Sequence, residues 1–381
     1  MNESKMYDIL FVGAGLHNAV FARLATDYGL KCCVIDKRDH IGGNIYDKYM
    51  DDINVHMYGA HIFHTNDINI WNFVNRYATF NNFINSPLAD NNSRYYNLPF
   101  NMNTFNQLWE CVRYPEQAKD KINKQRLDIS EPKNLEEQAL SLVGEDIYNT
   151  FIKYYTERQW GTECKNLPPD IIKRIPLRFT YNNNYFNDRF QGIPNDGYTN
   201  LIKNLFDGCD IRLNVNYFDN KQYYDNLADT IVYSGCIDQY FNYCYGELDY
   251  RSLRFSIIRL DDCSDFQGNA VINNTSKYGD YIRKIEHKHF DVQNSYVFDL
   301  DYTYITTEYP QKYIKDENEP YYPINDNKNM SKLKKYNKLA KSIPNVIFGG
   351  RLAEYKYYDM DKVIKSSMDN FSDYIIKKGV N

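Results

Sequence analysis

The sequence predicts an α/β protein whose parallel sheet is built from both ends of the chain. Three observations predict it. Residues 7–36 read as strand, glycine turn, helix and strand; residues 346–351 read as another strand before two glycines; and 381 residues suffice for two or three domains. A helix between two strands indicates parallel pairing, because a parallel pair needs a long crossover connection.

The elements of the first unit follow from its apolar pattern. Tyr7 to Val12 is a short apolar run bounded by Gly13, which predicts a buried strand. Apolar residues at helical spacing from Leu16 to Tyr28 predict a helix, and Gly29 is a suitable C-terminal cap. Lys31 to Ile35 then predicts a second buried strand.

The turn after the first strand suits a dinucleotide. Gly13 and Gly15 allow a pyrophosphate to approach the helix N-terminus, where free N–H groups and the helix dipole favour negative charge. Asp36 ends the second strand, where an acceptor for a ribose hydroxyl is expected. Asn18 replaces the third glycine of the fingerprint, so an ordinary α/β edge remains an alternative.

The residues after the second strand favour FAD over NAD alone. An acid, a basic pair and two adjacent glycines at this place are typical of FAD-binding proteins, although Gly42-Gly43 also suits a plain surface turn. The candidate cofactor-binding residues from this unit are Gly13, Gly15, Asp36, Lys37, Gly42, Gly43 and Asn44.

Composition and charge exclude several classes of protein. A net charge of −5 and a pI near 5.9 do not predict nucleic-acid binding. We expect no membrane insertion, because no stretch approaches the roughly 20 apolar residues of a spanning helix. Eight cysteines without C-x-x-C spacing predict reduced thiols in a cytoplasmic protein. An A/T-rich genome explains the 37 tyrosines most simply, although some of them would suit a sugar or nucleotide site.

Histidines cluster at His56, His61 and His64. The H-x-x-H spacing of the last two would suit a metal, but no carboxylate lies at ligand spacing. We therefore expect structural histidines here and no metal site.

The middle of the chain predicts helices and one exposed loop. Residues 103–172 are charged and amphipathic, which predicts a helical subdomain. Prolines on both sides bracket Lys173 and Arg174. This segment is either a mobile loop over an anionic ligand or a solvated turn.

The second half predicts a sheet and the return of the chain to the first domain. An alternating aromatic pattern over residues 178–195 predicts strands, and β-rich stretches from 253 to 308 predict an antiparallel sheet carrying Arg283. Residues 346–351 form a strand with a glycine turn, and a helix begins near Asp359. Both chain ends then form one discontinuous domain, which is the plan of glutathione-reductase-type FAD folds.

The predicted domains are three. The Rossmann-like FAD-binding domain comprises residues 1–75, 196–243 and 335–381, the helical subdomain with its mobile loop comprises 101–175, and the antiparallel-sheet substrate domain comprises 76–100, 176–195 and 244–334.

Ten runs, in order along the chain, resemble bacterial-type UDP-galactopyranose mutases. They are IGGN (41–44), YGAHIFHTND (58–67), NLPFNMNTF (97–105), NLEEQALSLVGEDIY (134–148), YTERQWG (155–161), IIKRIPLRFT (171–180), NNYFNDRFQGIP (183–194), FQGNAVIN (266–273), EPYYPINDNKN (319–329) and FGGRLAEYKYYDM (348–360).

The resemblance implies an isomerase that interconverts UDP-galactopyranose and UDP-galactofuranose. In the family, the N5 atom of reduced FAD attacks the anomeric carbon and forms a flavin–sugar adduct, so the reaction has no net redox change. The resemblance also implies a cytoplasmic homodimer that supplies galactofuranose for surface polysaccharide.

Residues for both ligands follow from the resemblance. Arg174 and Arg283 would hold the diphosphate, which independently needs cations beside it. Tyr322 and Tyr357 match tyrosines that hydrogen-bond this diphosphate, and the backbone of His61 would lie by flavin N5. Further substrate-binding candidates are Phe151, Tyr155, Thr156, Trp160, Tyr185, Asn273 and Asp359; further cofactor-binding candidates are Arg351, Asp359 and Met360.

Two other functions remain open at this stage. An FAD-dependent oxidase or desaturase of the amine-oxidase type shares the first domain but has no need of paired arginines at a diphosphate. A non-catalytic nucleotide-sugar binder would keep the aromatic side chains that suit uridine and sugar. Within the mutase interpretation, the sugar is either galactose or its N-acetylated form.

Overall fold

The computed structural model describes residues 5–172 and 176–379. In these ranges the helices are α1 Leu16–Asp27, α2 Ile68–Val74, α3 Met102–Leu108, α4 Pro115–Gln125, α5 Leu135–Val143, α6 Glu145–Ile147, α7 Lys153–Trp160, α8 Gly197–Leu205, α9 Lys221–Leu227, α10 Ile237–Tyr240, α11 Asn327–Ala340 and α12 Met360–Lys378.

The strands of the described residues form two large sheets and two small ones. They are β1 Tyr7–Val12, β2 Cys32–Ile35, β3 Asp47–Met50, β4 Ile53–His56, β5 Phe63–Thr65, β6 Leu88–Asn91, β7 Arg94–Asn97, β8 Phe190–Gly192, β9 Asp210–Arg212, β10 Ala228–Tyr233, β11 Tyr250–Asp261, β12 Val271–Asn274, β13 Arg283–Glu286, β14 Tyr302–Lys312, β15 Tyr322–Pro323 and β16 Val346–Phe348.

The first sheet is parallel and confirms the predicted α/β fold. Its strand order is β16-β10-β1-β2-β9, and Val12 lies beside Ile35 on one side and Tyr233 on the other. Helices α1 and α12 cover one face, where the rings of Phe21 and Phe371 meet edge to face at 5.3 Å. The two chain ends therefore share one core, as the sequence predicts.

The second sheet has the strand order β15-β11-β14-β13-β12-β6-β7. Its neighbouring strands are antiparallel except for β6 and β12, which pair in parallel. The long β11–β14 pair runs from Arg251 opposite Lys312 to Asp261 opposite Tyr302. The predicted antiparallel sheet is confirmed, with one parallel pair added.

Helices α3 to α7 pack around a separate apolar core. Met102, Phe105, Leu135 and Ile147 lie fully buried in it. Within this predicted helical subdomain, a π-helical turn over Tyr148–Ile152 separates α6 from α7.

The aromatic segment at residues 178–195 is mostly irregular, so the prediction of strands was wrong for all but β8. Side chains satisfy its backbone in place of a sheet partner. Arg178 donates to the carbonyl of Tyr185 at 2.9 Å, and Asn101 donates to that of Asn182 at 2.9 Å. Such bonds offer the backbone an alternative to a β ladder.

Only the first part of the bracketed loop falls within the described residues. It begins with a 3₁₀ turn over Pro169–Ile172, but Lys173, Arg174 and Ile175 lie outside the described residues. The three domain boundaries stay a prediction. Among the helices described, none is long and apolar enough to cross a membrane.

Candidate functional site

A cavity of about 1040 Å³ lies where the two large sheets approach each other. The carboxyl ends of β1, β2 and β10 open into it, as expected for ligand sites of parallel sheets. Arg283 at the start of β13 and Tyr322 in β15 line it from the second sheet.

The glycine turn after β1 is held tightly against its surroundings. Gly13 has φ +103°, and a Cβ atom there would lie 2.3 Å from the Ser234 hydroxyl oxygen. Asp36 accepts a hydrogen bond from the backbone N–H of Ala14 at 2.6 Å, and its other oxygen accepts one from that of Arg38 at 2.8 Å. The carboxylate thus links the ends of β1 and β2.

The Gly42-Gly43 turn packs onto the first glycine turn. The N–H of Gly42 donates to the carbonyl of Ala14 at 2.8 Å, and a Cβ atom on Gly43 would lie 3.1 Å from the Gly15 Cα. Gly42 has φ +96°, which favours glycine. The alternative interpretation of Gly42-Gly43 as a plain surface turn is therefore wrong. The two backbone turns meet at the cavity and form a cradle without side chains that fits a dinucleotide.

Asn18 has a structural role where the fingerprint has glycine. Its side chain is fully buried, and its amide nitrogen donates to the carbonyls of Val12 at 3.1 Å and Gly13 at 2.8 Å. The same nitrogen lies 3.2 Å from the Ser234 hydroxyl at the end of β10. The substitution therefore joins the ends of β1 and β10 and leaves the glycine turn intact.

A strap over residues 313–321 borders the same end of the cavity. From this strap the carboxylate of Glu319 pairs with Lys37 at 2.8 Å and with Arg38 at 3.4 Å. Burial would raise the pKa of Glu319, but these two cations bring it below its ordinary value. Arg38 also lies over the ring of Tyr58 at 4.8 Å.

On the side of the second sheet, a buried carboxylate pairs with a cation that lines the cavity. Glu308, whose side chain is only 3% exposed, forms an ion pair from its Oε2 to the Nε of Arg283 at 3.0 Å. Burial opposes the charge on Arg283, but Glu308 raises the pKa of this guanidinium well above its usual range. Its Nη2 donates to the Tyr155 hydroxyl at 3.0 Å, and no described residue accepts from Nη1. The group can therefore bind an anion in the cavity.

Arg351 adds a second cation beside two tyrosines. Its guanidinium carbon lies 5.6 Å from the ring centre of Tyr322 and 5.5 Å from that of Tyr357. Its Nη2 donates to the carbonyl of Tyr321 at 2.9 Å. Burial raises the pKa of Tyr322, so this hydroxyl stays protonated and able to donate a hydrogen bond.

Two buried histidines, His56 and His287, hold the turn that carries His61. The N–H of His61 donates to Nδ1 of His56 at 3.2 Å, and the N–H of His56 donates to Nδ1 of His287 at 3.3 Å. Burial lowers the pKa of His56 and His61 to about 3 and that of His287 well below its ordinary value. Neutral imidazoles are therefore needed as acceptors, and His61 is placed by its backbone.

His64 has a different partner. Its Nδ1 lies 2.6 Å from Oδ2 of Asp188, and its ring stacks on Phe186 at 3.7 Å between centres. Sequence reasoning missed Asp188, because the residue lies 124 positions away in a segment predicted as strand. The sequence showed His64 as the second histidine of the H-x-x-H pair, but it did not show this partner.

Most of the predicted site residues meet in this one cavity. Those that line it are Gly13, Gly15, Asp36, Lys37, Gly42, Gly43, Asn44, His61, Tyr155, Tyr185, Asn273, Arg283, Tyr322, Arg351, Tyr357, Asp359 and Met360. Lining residues that the sequence did not indicate as ligand-binding include Arg38, His64, Phe186 and Glu319.

Three predicted substrate residues lie elsewhere in the structure. Phe151 is 4% exposed and packs against Tyr96 and Phe100, with ring centres 5.0 and 5.3 Å away. Thr156 is buried, and Trp160 packs on the same helical core. The ring of Phe151 completes that core and does not line the cavity, so its contact with a ligand stays a prediction. Arg174 lies outside the described residues.

Two sheets around a cavity with two glycine turns define an enzyme fold of the dinucleotide-binding, glutathione-reductase-like class. Sequence comparison agrees: a model of NAD(P)-binding Rossmann-like domains matches residues 12–77, and a model of UDP-galactopyranose mutase matches residues 150–357. The chain belongs to the UDP-galactopyranose mutase family, whose members are isomerases.

Relatives match over nearly the whole chain. A probable UDP-galactopyranose mutase of Klebsiella pneumoniae is 38% identical over 97% of this chain and 94% of that protein. A dTDP-fucopyranose mutase of Escherichia coli is 38% identical over 97% of this chain and 99% of that protein.

Solved structures share the fold at low identity. A reduced UDP-galactopyranose mutase superposes with a TM-score of 0.73 at 13% identity, covering 98% of this chain and 96% of that one. A putrescine oxidase variant superposes with a TM-score of 0.55 at 9% identity, covering 97% of this chain and 99% of that one.

Proposed function

We propose that this protein interconverts UDP-galactopyranose and UDP-galactofuranose with reduced FAD. The observation that carries the proposal is the pairing of two sites in one cavity. A side-chain-free cradle formed by the two glycine turns lines the cavity from the first sheet, and Arg283, paired with Glu308, lines it from the second. An oxidase of amines needs the first site but not an anion site for a nucleotide diphosphate.

FAD is the cofactor that suits the cradle. Gly13 and Gly15 would hold its pyrophosphate at the start of α1, and Asp36 would accept from a ribose hydroxyl. The backbone of His61, and Met360 at the start of α12, would border the ring system. When bound in its reduced form, FAD supplies the nucleophile for the anomeric carbon of the sugar.

The chain's own residues would bind the diphosphate, the uridine and the sugar of the substrate and hold them in position. Arg283, with Arg174 by family resemblance, binds the diphosphate before and after it leaves the sugar, and Tyr322 donates a hydrogen bond to it. Tyr155 and Tyr185 offer flat faces to uridine or sugar, and the buried Oδ1 of Asn273 has no partner among the described residues.

A second substrate pair has a specific observation in its favour. The dTDP-fucopyranose mutase is as similar to this chain, at 38% identity, as the Klebsiella relative is. Interconversion of dTDP-fucopyranose and its furanose form is therefore the second candidate. It uses the same bond changes on a different nucleotide sugar.

The test is an assay of purified protein with and without dithionite. UDP-galactofuranose, UDP-N-acetylgalactofuranose and dTDP-fucofuranose are incubated separately, and pyranose products are separated by chromatography. We expect conversion of UDP-galactofuranose only after reduction. Conversion of the fucose sugar alone would select the second candidate, and conversion of none would exclude both. The cofactor is tested by heat release, where FMN or no flavin would contradict the proposal.

We also infer a homodimer in the cytoplasm. The family resemblance supports the dimer, and all eight cysteines are free thiols in the described chain, which suits a reducing compartment. Light scattering should give twice the chain mass at micromolar concentration, and a monomer mass there would contradict the dimer.

A further inference from the structure

His64 lies on the cavity wall, pairs with Asp188 behind it, and has no place in the function proposed so far. His64 lies in β5, which pairs with β8, and lines the cavity together with Asn85, Tyr185 and Phe186. Its side chain is 15% exposed and that of Asp188 is 23% exposed. The pair is therefore sheltered from bulk water and still reachable from the cavity.

The imidazole is held in one orientation from two sides. Phe186 stacks on its ring, with 3.7 Å between ring centres and 15° between ring planes. The Oδ2 atom of Asp188 lies within hydrogen-bond distance of Nδ1, at 2.6 Å. Asp188 is itself fixed, because Asn66 donates to its other oxygen, and the Oδ1 of Asn66 accepts from the N–H of Arg189 at 2.9 Å. A carboxylate on Nδ1 selects the tautomer whose Nε2 is an acceptor.

The second ring nitrogen is available for a ligand. No residue within the described ranges 5–172 and 176–379 hydrogen-bonds the Nε2 of His64. The ring is thus oriented by a third group and free at its reactive atom, which is the arrangement of a general acid–base.

A pyranose–furanose exchange requires such a group. The bond between C1 and O5 breaks and a bond between C1 and O4 forms, so O5 gains a proton and O4 loses one. The ring opens first, so imidazolium gives its proton to O5 as the C1–O5 bond breaks. The neutral imidazole left behind then accepts the proton from O4 as the C1–O4 bond forms, so protons balance over the cycle. Asp188 would stabilise the imidazolium that exists before the first transfer and after the second.

We propose that His64 carries this proton and is a catalytic residue, with Asp188 as its positioning residue. The proposal rests on the proposed function. It also gives a use to one histidine of the H-x-x-H pair whose spacing first suggested a metal.

The test separates ring rearrangement from cleavage at the anomeric carbon. UDP-galactopyranose with ¹⁸O in the bond between sugar and phosphate exchanges that label among phosphate oxygens whenever UDP leaves and returns. Furanose formation needs the proton transfers as well. Both rates are measured for reduced wild-type protein, His64→Gln and Asp188→Asn, each with its flavin content and melting temperature.

His289→Gln is the matched control. His289 also pairs with an aspartate, from its Nε2 to Oδ1 of Asp265 at 3.1 Å, but neither residue lines the cavity. This variant loses a histidine–carboxylate pair of the same kind, and both of its rates should equal those of wild type.

We expect furanose formation by His64→Gln to fall about a hundredfold, the usual scale of acid–base catalysis, with label exchange within severalfold of wild type. Asp188→Asn should show the same split with a smaller loss. Near-normal furanose formation, or a parallel loss of both rates at normal flavin content, would overturn the proposal. A wild-type protein that exchanges label but forms no furanose would overturn the proposed function instead.

His64→Ala distinguishes chemistry from packing. Removal of the ring leaves space beside Phe186, and added imidazole should restore part of the furanose formation. Rescue by imidazole supports proton transfer. Absence of rescue in a variant that retains flavin and label exchange would overturn it.

Discussion

At the scale of single residues, the anion site depends on one buried ion pair. Glu308 lies 3.0 Å from the Nε of Arg283 and stabilises this buried cation, which lines the cavity. Burial raises the pKa of Glu308 and Arg283 opposes that shift, so each charge maintains the other. Because the guanidinium of Arg283 is already desolvated and paired, binding of a diphosphate requires little further reorganisation of the site.

Arg283→Ala should lower turnover by at least about a hundredfold, because one charge-assisted contact to the diphosphate is lost in a sheltered site. Flavin content should stay normal, since Arg283 lies away from the two glycine turns. Arg283→Lys should also be poor, because an ammonium cannot reproduce the planar fork. By family resemblance, Arg174→Ala should behave in the same way.

The control for Arg283→Ala separates charge from fold. Arg283→Ala leaves Glu308 buried without its partner, which costs about 3 kcal/mol of stability in comparable cases. Arg283→Ala combined with Glu308→Gln should recover that stability in urea unfolding without recovering turnover. Recovery of turnover in the double variant would show that Arg283 serves the fold alone.

The buried histidines predict a loss of stability in mild acid. Burial lowers the pKa of His56 and His61 from 6.5 to about 3, and that of His287 also falls. Below pH 6.5 the unfolded chain takes up these protons and the folded chain does not, so stability falls as pH falls. Above pH 6.5 these histidines are neutral in both states, so their full contribution to the free energy of unfolding is present.

Each histidine should cost up to about 1.4 kcal/mol per pH unit within this window. Urea unfolding at pH 7.0, 6.0 and 5.5 measures the slope. His287→Gln removes one of the three titrations and should give a shallower slope than wild type. Equal unfolding free energies of wild type at pH 7.0 and 5.5 would refute this interpretation.

At the scale of elements, the first βαβ unit is tied to β10 by a side chain inside its helix. Asn18 lies in α1 and bonds to the ends of β1 and β10. In the glycine fingerprint, the third small residue permits close packing of helix and strand. Here a buried amide makes that junction through hydrogen bonds instead.

Asn18→Gly, which restores the fingerprint, should therefore destabilise the protein by about 2 kcal/mol or more. It removes buried hydrogen bonds and places glycine in a helix. Asn18→Ala should lose nearly as much in urea unfolding. Asn204→Ala is the control, because Asn204 donates one exposed bond, to the carbonyl of Tyr77 at 2.8 Å. Unchanged or increased stability of Asn18→Gly would disprove the role of the amide.

At the scale of the whole molecule, the strap over residues 313–321 connects the second sheet to the dinucleotide end of the first. It leaves β14, carries Glu319 to Lys37 and Arg38, and ends at β15. Because Lys37 is 59% exposed, its bond should contribute little to global stability. Its effect should fall on how readily the cofactor leaves.

Glu319→Gln should release flavin up to about fivefold faster, the equivalent of roughly 1 kcal/mol, with an unchanged melting temperature. Fluorescence of free flavin after dilution follows the release. Glu163→Gln is the control, because Glu163 forms a similarly exposed pair with Lys165 at 2.9 Å away from the cavity. Equal release rates for wild type and Glu319→Gln would exclude the strap from cofactor retention.

Local pattern was sufficient for the parts of the site within one unit. Gly13, Gly15 and Asp36 lie in a single strand–turn–helix–strand segment, so apolar spacing and turn chemistry placed them correctly at the cavity. The family resemblance added Arg283 and Tyr322, which also line it. The prediction of strands over 178–195 was wrong for all but β8. Alternation of aromatic residues does not reveal that side chains, and not a neighbouring strand, hydrogen-bond the backbone there.

The sequence alone determined the parallel sheet, the two glycine turns and the acid that follows β2, because each depends on neighbours within a few tens of residues. Only the tertiary structure decided that Glu308 pairs with Arg283, that Asp188 orients His64 and that Phe151 is buried in the helical core. Such contacts join residues far apart in the chain. They depend on strand register and on how the subdomains pack, and no local pattern encodes either.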